Sequence, residues 1–209
     1  MMKRFPFLTL LLAAFAVVAH VIPGLTEALQ CDRDAFSRAE LWRLVTGHFT
    51  HFGVDHLLWD VIAFVAFGSL VEFRSRRAWC YCVAISAVVI SFGVNWLQPQ
   101  FVLYRGLSGL DSALFAFVAT DLLREGRHTR DKLMIALGSL ALTGFLAKCA
   151  YELISGRTLF VEPNEAFHPV PLAHLLGAVV GVLTAQEWKN RSAPAAASST
   201  ELRNDHLNQ

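Results

Sequence analysis

AWCYCVAISAVVISFGVNW, residues 78–96, runs for 19 residues without one charged side chain. At about 1.5 Å of rise per residue, a helix of that length matches a bilayer core about 30 Å thick. Working outward in both directions, hydropathy marks five more blocks of similar length. The six candidate helices are 5–23, 56–73, 78–96, 106–123, 133–151 and 170–185. The whole chain is 55% hydrophobic and only 17% charged over 209 residues, where soluble domains carry about 25% charged residues. The expected fold is therefore all-α: a polytopic membrane bundle of six transmembrane helices over residues 1–187, followed by a disordered cytosolic tail over 188–209. A net charge of +1 without a basic tract argues against nucleic acid as a partner.

Lys3 and Arg4 precede the first block, so a cleavable signal peptide is the alternative to a retained helix there. Nineteen apolar residues are long for a signal core and no A-x-A site follows, which favours a retained helix. Counting Lys and Arg with the N-terminus in the cytosol puts twelve on the inner side and five on the outer, with Lys148 inside a span. By the positive-inside rule both termini are cytosolic. The expected location is a cell membrane, in a bacterium the inner one.

Orientation gives each buried polar group a depth. Glu72 and Asp121 fall at the cytosolic ends of their spans beside Arg74, Arg76 and Arg124, where interfacial ion pairs are expected. His56 and Asp60, Ser108 and Asp111, Lys148, and His174 all fall in the outer halves of four different spans. Ionisable groups inside a membrane are costly and mark function. Gly106-Leu-Ser108-Gly109 places a serine at a helix start, where glycines admit close backbone approach and free N–H groups can stabilise an oxyanion. His174, Gly177 and Gly181 share one face at i, i+3 and i+7, and their small residues suit close packing of another helix. If span six packs on span four, His174 faces Ser108. His56 and Asp60, at i and i+4, project together from span two.

These residues resemble the rhomboid intramembrane serine proteases, from Trp42 to about Gly181. Trp42-Arg43 with His51-Phe-Gly-Val-Asp-His56 is similar to the family's first-loop signature. Gly68-x-x-x-Glu72 resembles the cytosolic end of its second helix. Gly106-Leu-Ser108-Gly109 is similar to the nucleophile motif, and Ala173-His174-Leu-Leu-Gly177-x-x-x-Gly181 to the general-base motif. The resemblance implies that Ser108 is the nucleophile and His174 the base, a dyad without a third acid. His56 and the Ser108 backbone N–H would line the oxyanion hole, and Trp42 and Arg43 would shape the first loop. It implies no metal or organic cofactor, and substrates that are transmembrane helices of other proteins.

Two positions depart from that pattern. Asp60 stands where the family usually has asparagine, and Ser112 where it usually has the tyrosine supporting the histidine; Phe115 is a candidate for that packing. Such departures on a minimal core also resemble the rhombosortase branch, which cuts C-terminal sorting helices of exported proteins. Asp60 is expected to stay neutral, or to share a proton with His56, and to act as an asparagine substitute. The competing expectation pairs Asp60 or Asp111 with Lys148.

Other functions are weaker. Asp60 and Asp111 could form an aspartyl protease, but its Tyr-Asp and Gly-x-Gly-Asp signatures are absent. His48, His51 and His56 lack the H-E-x-x-H spacing of a helical zinc protease, and loop hydrogen bonding suits His48 and His51 better. A catalytically inactive rhomboid-like protein that escorts membrane helices is the main non-enzyme alternative. No repeat symmetry supports a transporter. Cys31 and Cys149 both fall near the outer face, where they could pair. The segment from Glu162 to Pro169 is expected to be a stiff connector above span six.

Overall fold

The computed structural model describes residues 5–34, 38–157 and 170–192. Six long helices make up almost all of it: α1 (Phe7–Val21), α2 (Val54–Arg74), α3 (Arg76–Leu97), α4 (Ser108–Thr129), α5 (Lys132–Ser155) and α6 (Pro171–Ser192). Each coincides with one apolar block of the sequence. The last three run further than hydropathy indicates, because a helix continues through charged residues once its backbone bonds are made. Residues 188–192, expected in the tail, are the last of α6. Residues 193–209, the connector at 162–169, and Lys3 and Arg4 lie outside the described residues.

Local sequence explains where the helices begin and end. The Ser75 hydroxyl caps α3 by accepting from the Ala78 N–H at 3.2 Å. Asp131 caps α5, its carboxylate accepting from the Leu133 and Met134 N–H groups at 2.8 and 3.1 Å. α1 has only Pro6 at its N-cap and no local side chain for its first amides. Glu72 serves instead, from the far end of α2: it accepts from the Leu8 N–H at 3.1 Å and from the Thr9 N–H and hydroxyl, each at 2.8 Å. Arg76 donates at 3.2 Å to Oε1, the oxygen that also accepts from Leu8. The expected interfacial ion pair is present, and so is one between Arg74 and Asp121. Glu72, however, is buried and holds a helix N-terminus, where the macrodipole favours a carboxylate.

By length and composition, α2, α3 and α5 can cross a membrane, while α1 is apolar but only 15 residues long. α4 and α6 are not marked in this way, and their surroundings explain why. α4 packs against α2, α3, α5 and α6, with Leu110, Ala113, Leu114 and Ala116 wholly buried. A helix lined by protein needs small, shape-matched side chains more than lipid-compatible ones. α5 turns Leu133, Leu140, Leu153 and Ile154 outward instead.

The α4–α6 contact is made of backbone. A Cβ on Gly177 would lie 2.1 Å from the Gly109 carbonyl oxygen, and one on Gly181 2.0 Å from that of Ala113. The small-residue face read from the sequence is thus the one that meets span four.

The described residues between α1 and α2, 22–34 and 38–53, fold into short pieces docked on the bundle. One-turn helices at Leu25–Leu29 and Arg43–Thr46 lead into a 3₁₀ turn, Gly47–Phe49. The strand β1 (Cys31–Asp32) pairs antiparallel with β2 (Leu103–Tyr104), a ribbon that the all-helical expectation omits. Two residues per strand are too few for period-two patterning to register. The Arg43 guanidinium donates to the Glu27 and Gln30 carbonyls at 2.8 and 3.0 Å, tying one short helix to the next. The His48 ring is wholly buried, its Nε2 lying 3.0 Å from the Ala87 carbonyl and 3.1 Å from the Ser91 hydroxyl of α3. Burial pushes that imidazole down to about 4, so it is neutral at physiological pH. Cys31 and Cys149 are both free thiols, so the pairing considered from sequence does not occur.

Two stability predictions follow from these contacts. Glu72→Ala leaves the first amides of α1 without an acceptor and should lower stability by about 3 kcal/mol, with Glu72→Gln milder. Gly181→Val should cost at least about 3 kcal/mol by overpacking. Gly144→Ala, where an added Cβ meets nothing within 4 Å, should be neutral or slightly stabilising. Thermal unfolding in detergent micelles measures all four.

Candidate active site

α4 begins at Ser108, directly after the turn that follows β2. Gly106 makes that turn possible in two ways. Its φ of +122° is disfavoured for any other residue, and a Cβ there would lie 2.8 Å from His56 Nε2. The ribbon and this glycine therefore bring the start of α4 against the start of α2. The Ser108 N–H, one of the amides that a helix start leaves without a backbone partner, donates to Asp60 Oδ2 at 3.1 Å.

On the other side of Ser108, the glycine contacts of α6 carry His174 to the serine. Its Nε2 lies 3.2 Å from Ser108 Oγ. Its Nδ1 lies 3.0 Å from Glu152 Oε2 on α5, and the second oxygen of Glu152 accepts from Lys148 Nζ at 2.7 Å. A carboxylate paired with an ammonium can only accept, so Nδ1 carries the imidazole proton and Nε2 is left to accept from the Ser108 hydroxyl. Glu152 is 2% exposed and His174 7%. The pairing of Lys148 with Asp60 or Asp111 is thereby corrected: its partner is Glu152, one helical turn along the same face.

Glu152 is the site residue that sequence reasoning missed. Hydropathy ended span five at residue 151 and so assigned Glu152 to the following loop, although the helix continues to Ser155. The available signal was Lys148 itself. A lysine within an apolar span calls for an acid nearby, and Glu152 lies at i+4, where a helix brings two side chains together. The expected dyad had no acid beside the base; here a carboxylate occupies the far edge of the imidazole.

Asp60 gathers three nitrogens on one oxygen. A single oxygen, Oδ2, meets the Ser108 N–H, His51 Nε2 at 3.2 Å and His56 Nε2 at 3.3 Å. Toward the backbone N–H of Ser108 this oxygen is an acceptor, and the His56 ring lies within reach of the same atom. His51 is buried, which holds its imidazole below its ordinary pKa despite the pull of Asp60. The His56 ring stacks at 6° on Phe52, and the Arg105 guanidinium covers the other part of that assembly, 4.8 Å from the Phe52 centroid. His51 and His56 thus share Asp60, while His48 turns to α3.

The remaining residues go elsewhere. The Ser112 hydroxyl donates back to the Ser108 carbonyl at 2.7 Å. Phe115 packs its ring on Phe67 of α2 and Phe145 of α5, with centroids 5.1 and 5.7 Å away, rather than on His174. Asp111 is buried in the first turn of α4. Trp42 is half exposed, and Arg43 holds the first loop as described above.

Comparison with known proteins gives the family. The Rhomboid domain model matches residues 38–187, which include every residue of the site. Among curated proteins, "Rhomboid protease GlpG" of Serratia proteamaculans (strain 568) is 26% identical over 192 residues. That alignment takes in 88% of this chain and 63% of the relative, so the chain spans less than two thirds of its length. The family model, the helical bundle and its apolar outer faces agree: the chain belongs to the rhomboid family of membrane proteins.

Proposed function

We propose that the protein is an intramembrane serine endopeptidase that hydrolyses a peptide bond in or near a transmembrane helix of another protein. The observation that carries this is the 3.2 Å approach of His174 Nε2 to Ser108 Oγ, with the Glu152 carboxylate 3.0 Å from Nδ1. A serine hydroxyl becomes nucleophilic when such a base stands beside it. Ser108 Oγ attacks the scissile carbonyl carbon as its proton passes to Nε2. The tetrahedral intermediate then collapses, the imidazolium protonating the departing amine nitrogen and leaving an ester on Ser108. Water, deprotonated by the same nitrogen, hydrolyses that ester. No metal or organic cofactor enters these steps.

The oxyanion would form beside the Ser108 N–H and the His56 ring. Asp60 holds both in place before substrate arrives, and the N–H passes from Asp60 to the oxyanion as charge develops. This arrangement asks only for an acceptor oxygen at position 60, which asparagine supplies equally well. With both termini cytosolic, the site lies near the outer face, where water is available. Asp60 and Ser112 support a sorting-helix substrate of the rhombosortase kind. One observation favours the alternative of an inactive helix-binding relative: the Ser108 N–H is already occupied by Asp60.

Two experiments test this. Co-expression with tagged membrane substrates, including one bearing a small-residue-rich C-terminal helix, should give cleavage that Ser108→Ala and His174→Ala each reduce by at least roughly 100-fold. Survival of cleavage in Ser108→Ala would refute the serine mechanism. In the same assay Asp60→Asn should keep most of the wild-type rate and Asp60→Ala should lose roughly 100-fold. An asparagine variant as slow as the alanine one would refute the acceptor role.

A further inference from the structure

We infer that Glu152 is a positioning residue for His174, held in place by Lys148, so that the site works as a Lys148–Glu152–His174–Ser108 chain rather than as a dyad. This rests on the serine-protease reading above and deepens it. Three distances define the chain: 2.7 Å from Lys148 Nζ to Glu152 Oε1, 3.0 Å from Glu152 Oε2 to His174 Nδ1, and 3.2 Å from His174 Nε2 to Ser108 Oγ. Each carboxylate oxygen has a separate donor, so the group is fixed at both ends.

Burial makes the arrangement informative. A carboxylate 2% exposed is expensive without an opposite charge. Lys148 supplies that charge from the same helix while keeping 24% of its own side chain exposed. The pair presents one free acceptor, and it points at the imidazole edge away from the serine. Such an acceptor fixes the tautomer and ring orientation, and it stabilises the imidazolium that forms when Ser108 gives up its proton. Ser112 hydrogen-bonds within α4 and Phe115 packs between α2 and α5. Support for His174 therefore comes from α5.

Among the described residues, the titratable groups on the elements packed around His174 include Cys149 on α5, Tyr104 on β2, and His51 and His56 at Asp60, besides those that follow. α5 contributes Glu152 and Lys148. Across Ser108 on α2 lies Asp60, at the serine N–H, and Asp111 follows three residues along α4. From Val83 to Leu97, α3 carries no titratable side chain. Asp60 and Asp111 are retained in every variant below, so they cannot account for differences among them.

The test measures labelling of the full chain in detergent by a fluorophosphonate bearing a fluorophore, as a rate against pH. Rates are normalised to the folded fraction from thermal unfolding. Wild type should label and Ser108→Ala should not; if wild type fails to label, the serine mechanism itself fails. Given wild-type labelling, Glu152→Gln should lower the plateau rate roughly 100-fold. It should also move the acid limb toward lower pH by about one unit, because the imidazolium has lost its counter-charge. Glu152→Asp, which keeps the charge, should keep the wild-type acid limb even if its rate falls. A merely structural role changes the folded fraction and leaves the limb in place. Glu152→Gln and wild type with the same normalised rate and the same limb would overturn the inference while leaving the serine mechanism intact.

Discussion

The approach of α6 to α4 is the constraint on which the site depends. Two carbonyl oxygens of α4, on Gly109 and Ala113, occupy the space where side chains at 177 and 181 would begin. With no side chain between them, the two backbones come close enough for His174, one helical turn before Gly177, to reach Ser108, one residue before Gly109. Helices in lipid gain no hydrophobic drive from meeting one another, so close van der Waals contact of small residues must supply the attraction. The same contact thus holds the bundle and sets the distance between His174 and Ser108.

Around that contact the polar groups form two separate assemblies that meet at Ser108. Asp60, His51 and His56 gather on its backbone N–H; His174, Glu152 and Lys148 extend from its hydroxyl. Four elements supply them: the first loop, α2, α5 and α6. A buried ionisable group is tolerable only when satisfied, and each assembly has a carboxylate at its centre. The first loop belongs to this system rather than decorating it. Its ribbon with β2 and the Gly106 turn fix where α4 begins, and His51 contributes a ring to Asp60.

Much of this was legible in the sequence because lipid and close helix contacts leave strong signatures. Apolar runs marked all six helices, and glycines three and seven residues after His174 marked the face that meets α4. What was not legible depends on partners distant in sequence or on helix ends. Glu72 could be read as an interfacial acid, but its service to the first amides of α1 spans more than 60 residues. Glu152 was hidden because hydropathy ends a span where lipid ends, whereas a helix ends where its hydrogen bonds do. The two-residue strands carry no pattern of their own, and the partner of Lys148 lies one turn along the same helix, just past the end that hydropathy assigns to the span.

The departures at positions 60 and 112 have a common physical account. Position 60 presents an oxygen that accepts from a backbone N–H, and both aspartate and asparagine provide one; in this chain His51 and His56 bring ring nitrogens to the same oxygen. Position 112 carries no aromatic ring, so α4 offers His174 no support from one turn below the serine. A charged acceptor on α5 replaces it from the other side. Exchanging a packing partner for a hydrogen-bonded carboxylate introduces a buried negative charge, and a lysine on the same helix answers it. Lys148, which looked out of place in an apolar span, is thus accounted for by the acid it holds, and that acid by the histidine it orients.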